Sequence, residues 1–136
     1  NSAISDAQNG TDMQVFVSTF FDENDESGLA KEFVTGYKAW LNGNSQNLTN
    51  NGGNDMISAV TAMGYDSYFT ALEALKNAGS TNPADVLKAL PTTTYEGVTG
   101  AIAFDEIGDA IRDSAFVKEV DTASGEWKFV AIQGVN

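Results

Sequence analysis

Two clusters of carboxylates are the side chains in this sequence that could most readily carry out chemistry. The first cluster consists of Asp22, Glu23, Asp25 and Glu26. Alternating oxygen ligands before a glycine resemble an EF-hand calcium loop, but aligning Gly28 with the required glycine places Val34 where the bidentate glutamate should stand. The alternative interpretation is a solvated helix start, where negative charge is favourable. We therefore expect no calcium site.

The second cluster is formed by Asp105, Glu106 and Asp109, which could in principle supply the acid and base of a hydrolase. Their position within a turn, next to Gly108, is better explained by turn chemistry. The sequence has no cysteine and no histidine, so thiolate catalysis, zinc–thiolate sites and the commonest general base are excluded. We expect no catalytic residues, no metal and no cofactor, and an acidic hydrolase remains the less favoured hypothesis.

Size and charge limit the remaining functions. A chain of 136 residues is long enough for one compact domain. Its formal charge of −12 would repel nucleic acid and anionic membrane surfaces, so neither is an expected partner. No apolar run is long enough for a transmembrane helix. Residues 1–11 have neither the basic nor the apolar region of an export signal, so export cannot be read from the chain.

The elements that would position these side chains begin with a strand and three helices. The β-branched and aromatic run Met13–Phe21 follows a polar leader and predicts a buried strand. Apolar residues at helical spacing predict a helix from about Leu29 that ends at Gly43, and a second helix over about 55–78. The asparagine-rich residues 42–54 are predicted to form a loop between them. Asn82, as a capping residue before a first-turn proline, predicts a short helix to about Leu90.

After Tyr95 the periodicity changes from helical to alternating. Residues 105–109 are predicted to form a turn, and residues 115–120 and 127–132 are predicted to form a hairpin joined by the polar turn 121–126. The fold class is therefore α/β, with incomplete sheets. One leading strand cannot form a sheet, and the late strands need neighbours that this chain barely supplies.

Several phrases of the sequence, taken in order, resemble the type I periplasmic binding proteins, specifically the receptors of branched-chain amino-acid transporters. They are KEFVTGYKAW, AMGYDSYFTALEAL, NAGSTNPADVLKAL and YEGVTGAIAFDEIGDA. The last phrase, with its Gly-Val-Thr-Gly, Phe-Asp and Gly-Asp steps, is the most specific. The phrases extend over nearly the whole chain, which would correspond to the C-terminal third to two fifths of such a receptor.

The resemblance implies a two-lobed α/β fold in which the ligand is held between the lobes. Residues 22–104 would belong mostly to the first lobe, and residues 13–20 and 115–133 mostly to the second lobe. Phe20, Phe21, Val60, Tyr65 and Asp66 would be the ligand-binding residues that remain in this segment. The plainer alternatives are that Phe20, Phe21 and Val60 pack in a core, and that Asp66 holds a neighbouring loop by accepting backbone N–H bonds.

The function implied by the resemblance is extracytoplasmic binding of an amino-acid-type solute for uptake by an ABC transporter. The partners would be this small molecule and a membrane permease, and the location would be the periplasm or a cell-surface lipoprotein. A ligand-sensing receptor domain of the same fold, coupled to signalling, is the alternative. Because its sheets are incomplete, we expect the isolated chain to form a swapped or edge-paired homo-oligomer.

Overall fold

The computed structural model describes residues 2–26 and 28–134. Ser27, the last residue of the acidic stretch that follows the predicted strand, lies outside the described residues. The chain divides into two compact units. Unit 1 comprises residues 1–22 and 113–136, and unit 2 comprises residues 23–112.

Unit 1 contains a short helix and a three-stranded antiparallel sheet. The strands are β1 (Phe16–Thr19), β5 (Ser114–Val120) and β6 (Trp127–Gly134), in the order β1-β5-β6. The predicted hairpin of β5 and β6 is confirmed, and its turn is closed by a hydrogen bond from the Asp121 N–H to the Glu126 carbonyl. The leading strand is shorter than predicted and pairs with β5, from Phe16 opposite Glu119 to Thr19 opposite Phe116.

The polar leader of the sequence, for which the residue pattern predicts no element, is helical. Helix α1 spans Ser2–Gln8. It is tied to the rest of unit 1 by a hydrogen bond from the Ser5 hydroxyl to the Thr122 carbonyl and by one from the Gln8 amide to the Met13 carbonyl. The sequence carries no apolar stripe for this helix, and these polar contacts to distant residues explain why periodicity did not predict it.

Unit 2 begins with helix α2 (Gly28–Asn42), which buries Ala30, Phe33 and Leu41. The prediction that residues 42–54 form only a loop is wrong, because α3 occupies Ser45–Asn50. The Asn44 side chain caps α3 by accepting a hydrogen bond from the Gln46 N–H. The asparagines that indicated a loop thus also provide a helix cap, and the helix is too short to show a hydrophobic period.

Helix α4 spans Ala59–Ala78, four residues later than the predicted start at residue 55. Ser58 sets the start because its side chain accepts a hydrogen bond from the Thr61 N–H, and Gly79 ends the helix in the left-handed conformation. Helix α5 (Pro83–Ala89) begins at the predicted Asn82 cap and is followed by a 3₁₀ turn, Leu90–Thr92. No helix among the described residues is long and apolar enough to cross a membrane.

A small second sheet completes unit 2. Its strands are β2 (Tyr95–Gly97), β3 (Gly100–Phe104) and β4 (Ala110–Ile111), paired antiparallel in that order. The predicted turn at residues 105–109 is confirmed, because the Asp105 carboxylate accepts hydrogen bonds from the N–H groups of Ile107 and Asp109. The Asp105 carboxylate therefore has the role in turn geometry that the sequence favoured over catalysis.

Candidate functional site

A buried carboxylate on α4 holds the turn between β2 and β3. Asp66 is 1% exposed, and one of its oxygens accepts a hydrogen bond of 2.8 Å from the Val98 N–H. The other oxygen accepts bonds from the N–H and the hydroxyl of Thr99, at 2.8 and 2.6 Å. Hydrogen bonds to an ionised, buried group are the strong ones. Asp66 therefore fixes the turn to the helix, as the plainer interpretation of this residue predicted.

Two further residues show how closely the turn is held. A Cβ atom added to Gly97 would lie 2.5 Å from the Asp66 carboxylate, so only glycine fits at this position without displacing the acid. On the far side of Thr99, the Arg112 guanidinium donates to the Thr99 carbonyl at 2.8 Å and to its hydroxyl at 3.0 Å. Thr99 is therefore bound both by Asp66 and by the last residue of unit 2.

A pocket of about 460 Å³ lies next to this turn, entirely within unit 2. Five aromatic side chains contribute to its wall: Phe33, Tyr37 and Trp40 from α2, Tyr65 from α4 and Tyr95 from β2. Leu29, Glu32, Gly36 and Val98 complete the lining.

Four of the five aromatic rings of this wall contact one another in a row, from Trp40 through Tyr37 and Phe33 to Tyr65. The Phe33 ring lies 5.5 Å from that of Tyr37 and 4.8 Å from that of Tyr65, measured between centroids. Tyr37 is 5.4 Å from Trp40 at the other end of the row. Spacings of this size are typical of attractive aromatic pairs. The helix spacing of 33, 37 and 40 brings these rings to one face of α2, and Tyr65 joins them from α4.

The electrostatic environment of the pocket disfavours negative charge. Burial raises the pKa of Tyr95 above its ordinary value, and the nearby Asp66 carboxylate and Tyr65 raise it further. Both effects penalise the ionised phenolate, the first because charge loses its hydration and the second because like charges repel. An anionic ligand would meet the same penalties beside Tyr95.

The five predicted ligand-binding residues divide between the two units. Phe20 and Phe21 lie in unit 1, where Phe21 is buried at 3% exposure. Val60, Tyr65 and Asp66 lie on α4 in unit 2. Among these three, only Tyr65 lines the pocket, whereas Val60 is 78% exposed and Asp66 is committed to the turn. That these residues contact a ligand stays a prediction.

The acidic residues that suggested a calcium loop instead bind lysines and a backbone amide. Asp22 pairs with Lys118 at 3.2 Å within unit 1. Glu23 pairs with Lys38 at 3.0 Å and accepts a hydrogen bond from the Ile57 N–H at 3.3 Å. In the part of the chain that the structure describes, no group of three or more potential metal-binding side chains converges.

The aromatic wall is the part of the site that the sequence analysis missed. Phe33, Tyr37 and Trp40 were assigned to a core-facing helix stripe, and Trp40 is nevertheless 56% exposed. The signal that could have found the wall is the concentration of aromatic residues on one face of α2 together with Tyr65 and Tyr95. Periodicity alone identifies a face but not what covers it.

The comparison with family models and the comparison with solved structures indicate the same kind of protein. A family model described as periplasmic binding protein matches residues 3–125. Among solved structures, the chain is similar to the leucine binding protein LivK from Thermotoga maritima MSB8, with 27% identity and a TM-score of 0.69. The match covers 98% of this chain and 34% of the LivK chain. No curated protein matches the sequence.

Two further solved structures are similar in fold. One is a solute binding protein of an ABC transporter from Rhodopseudomonas palustris BisB5, in complex with 3,4-dihydroxybenzoic acid, with 20% identity and a TM-score of 0.61. The match covers 96% of this chain and 34% of that one. The other, from Rhodopseudomonas palustris HaA2, is in complex with p-hydroxybenzoic acid, with 13% identity, a TM-score of 0.60 and coverage of 90% and 31%. This chain thus spans about a third of the length of these relatives.

Proposed function

Because this chain belongs to the periplasmic binding protein family, we propose that the intact protein captures an amino-acid-type solute outside the cytoplasm and delivers it to an ABC transporter. The family is one of solute-binding receptors and not of enzymes. The resemblance to branched-chain amino-acid receptors that the motifs indicated is confirmed by the family match and by the similarity to LivK. The match over residues 3–125 is the observation that carries the proposal.

The two units support a two-lobed receptor in which the chain passes between lobes. We propose that unit 2, residues 23–112, belongs to the first lobe and that unit 1 belongs to the second lobe. The ligand would be enclosed as the lobes close, because closure excludes water and strengthens the polar contacts of the ligand. Phe20, Phe21, Val60, Tyr65 and Asp66 are the residues of this segment that we propose for the ligand cleft.

The solute class is tested by calorimetry on the intact receptor. We expect leucine, isoleucine, valine or a small polar amino acid to bind with a dissociation constant in the micromolar range or below, about −8 kcal/mol or stronger. Hydroxybenzoic acids belong in the same panel, because two structures of similar fold hold them. Binding of a hydroxybenzoate but of no amino acid would contradict the proposed solute class.

The location and the transporter partner are part of the same proposal. The periplasmic binding protein family implies an extracytoplasmic location, and we propose either the periplasm or a lipid-anchored position on the cell surface. A membrane permease would recognise the closed, ligand-bound form. Co-purification of the intact receptor with a permease in the presence of solute, and its loss without solute, is the expected result.

We also propose that the isolated chain pairs with a second copy along β6. Among the described residues, β6 pairs only with β5, so its outer edge has no strand partner. Phe129, Val130 and Ile132 are 51%, 44% and 60% exposed on this strand. An exposed, apolar edge strand favours pairing with another chain. Sedimentation should detect a dimer of the wild-type chain, and Val130→Lys should disrupt it. The control Thr122→Lys, in the preceding turn, should leave the dimer intact. A wild-type chain that stays monomeric would contradict the pairing.

A further inference from the structure

The pocket of unit 2 has a lining suited to a positively charged ligand. Five of its lining residues are aromatic, one is the carboxylate Glu32, and none is a lysine or arginine. The face of an aromatic ring attracts cations through its quadrupole, and tryptophan does so most strongly. We propose that this pocket binds a small organic cation of the alkylated ammonium class in addition to the proposed solute, and Tyr65 is the residue that the pocket shares with the proposed cleft.

The size of the pocket agrees with such a ligand. Ligand pockets usually measure roughly 300–1,000 Å³, and this one measures about 460 Å³. An ammonium group with methyl substituents buries apolar surface against Leu29 and Val98 while its charge faces the rings. A primary ammonium would lose more hydration on entry, because its N–H groups need hydrogen-bond acceptors. The lining therefore favours an alkylated ammonium over a bare one.

The lysines near Glu32 on α2 pair with other carboxylates, so the Glu32 carboxylate is available to a ligand. Glu32 makes no hydrogen bond or ion pair with any described residue, whereas both lysines of α2 are engaged elsewhere. Lys31 binds Glu26 at 3.3 Å, and Lys38 binds Glu23 at 3.0 Å. Neither lysine of α2 therefore competes for the Glu32 carboxylate. The net charge of −12 adds a long-range attraction for cations.

Exposure of the lining is the reason to expect an occupant. Trp40, Leu29 and Tyr65 are 56%, 48% and 42% exposed although each is large and partly apolar. Contiguous exposed apolar surface of this kind marks binding sites. A second copy of the chain and another segment of the intact receptor are the alternative occupants, and the experiments below distinguish them from a cation. The carboxylate and the absence of basic lining residues favour the organic cation.

Fluorescence titration of the 136-residue chain tests the proposal directly. Trp127→Phe leaves Trp40 as the only tryptophan, so that emission reports on the pocket. We expect choline to change the Trp40 emission saturably, with a dissociation constant in the millimolar range. The matched control is the uncharged isostere of choline in which carbon replaces nitrogen. It should bind at least about fivefold more weakly, because it lacks the cation–π attraction.

Two substitutions distinguish the effect of the Glu32 carboxylate from the effect of the net charge of the chain. Glu32→Gln should weaken choline binding by about threefold or more, since it removes the carboxylate next to the ligand. Glu96→Gln changes the net charge equally but lies outside the pocket lining, and it should leave binding unchanged. Trp40→Leu, measured by calorimetry, should weaken binding about tenfold, because it keeps an apolar side chain at this position but removes the aromatic face. Circular dichroism confirms that each variant remains folded.

Three results would overturn the proposal. Equal affinity for choline and its uncharged isostere would mean an apolar pocket without preference for charge. Burial of Trp40 that increases with protein concentration would identify a second copy as the occupant. Shielding of Trp40 from acrylamide in the intact receptor, together with no choline binding there, would identify a segment of the receptor. None of these results depends on which amino acid the receptor captures, so this proposal and the proposed function can fail independently.

Discussion

At the scale of single residues, the most consequential group is the buried Asp66 carboxylate. It satisfies two backbone N–H groups and one hydroxyl that would otherwise be buried without partners. Asp66→Asn replaces one acceptor oxygen with a donor, which faces either the N–H of Val98 or that of Thr99. Because leaving such groups unsatisfied is costly, we expect the free energy of unfolding to fall by about 3 kcal/mol. Urea unfolding measures this loss.

The control for this substitution is Asp109→Asn. Asp109 is exposed, and its contribution to the turn is made by its backbone, whose N–H binds Asp105. Surface changes of this kind usually alter stability by less than about 0.5 kcal/mol. If Asp66→Asn were as mild as Asp109→Asn, the carboxylate would not be holding the turn.

Tyr95 gives a pH dependence whose sign follows from its raised pKa. The folded state disfavours the phenolate, first through burial and then through Asp66 and Tyr65. This contribution to stability is fully present below the ordinary tyrosine pKa and is lost as the pH rises through the higher folded pKa. Tyr95→Phe should therefore reduce the loss of stability between about pH 9 and pH 11.

Urea unfolding at the two pH values measures the effect of Tyr95, and Tyr68→Phe is the matched control. Tyr68 is 63% exposed, so Tyr68→Phe makes the same chemical change at a solvent-facing position. An identical pH dependence in wild type and Tyr95→Phe would show that the raised pKa has no consequence for stability. Tyr95→Phe retains the aromatic ring that stacks on Phe69, at a centroid distance of 6.2 Å.

At the scale of secondary structure elements, caps decide where the helices begin. Ser58 caps α4 through the Thr61 N–H, and Ser58→Ala should destabilise unit 2 by about 1 kcal/mol. Ser58→Asp keeps an acceptor at the cap and adds charge that the helix N-terminus favours, so stability should stay close to that of the wild type. Thermal unfolding distinguishes the two variants; equal melting temperatures would contradict a capping role.

The same caps explain which elements the sequence could predict. Helix α5 was predicted correctly because Asn82 and Pro83 form a local signal that does not depend on the rest of the fold. Helix α4 was placed too early because the residues before Ser58 continue the apolar pattern without being helical. Helix α3 was not predicted because five of its six residues are polar and carry no hydrophobic period. Local signals thus predicted the capped and periodic elements and failed for the others.

At the scale of the whole molecule, the sequence could not predict which distant residues contact one another. The partner of β1 is β5, about a hundred positions away, and no local pattern specifies that register. The partners of Asp66 are likewise more than thirty positions away. The phrase YEGVTGAIAFDEIGDA, which indicated a receptor fold, contains both Val98 and Thr99, but it did not indicate their hydrogen bonds to Asp66.

Burial differs between the two units, and we expect their stabilities to differ with it. Among the described residues, the buried apolar residues of unit 1 are Phe21 and Val120, whereas unit 2 buries eight, namely Ala30, Phe33, Leu41, Ile57, Ala62, Ala74, Val98 and Ile102. Local unfolding is easiest where few apolar groups are buried. Hydrogen exchange should therefore be faster for the paired amides of β5 and β6 than for those of α4.

Two truncations in the separate cores test whether the units unfold independently. Val120→Ala removes buried volume from unit 1, and Leu41→Ala does the same in unit 2, where Leu41 is 1% exposed. Each loss should cost about 1–4 kcal/mol, more for leucine than for valine. If the units open separately, Val120→Ala accelerates exchange in β5 and β6 while α4 keeps its protection, and Leu41→Ala does the reverse. Acceleration of all amides by either substitution would mean that the chain unfolds as one cooperative body, since a loss confined to one core would then lower the stability of both.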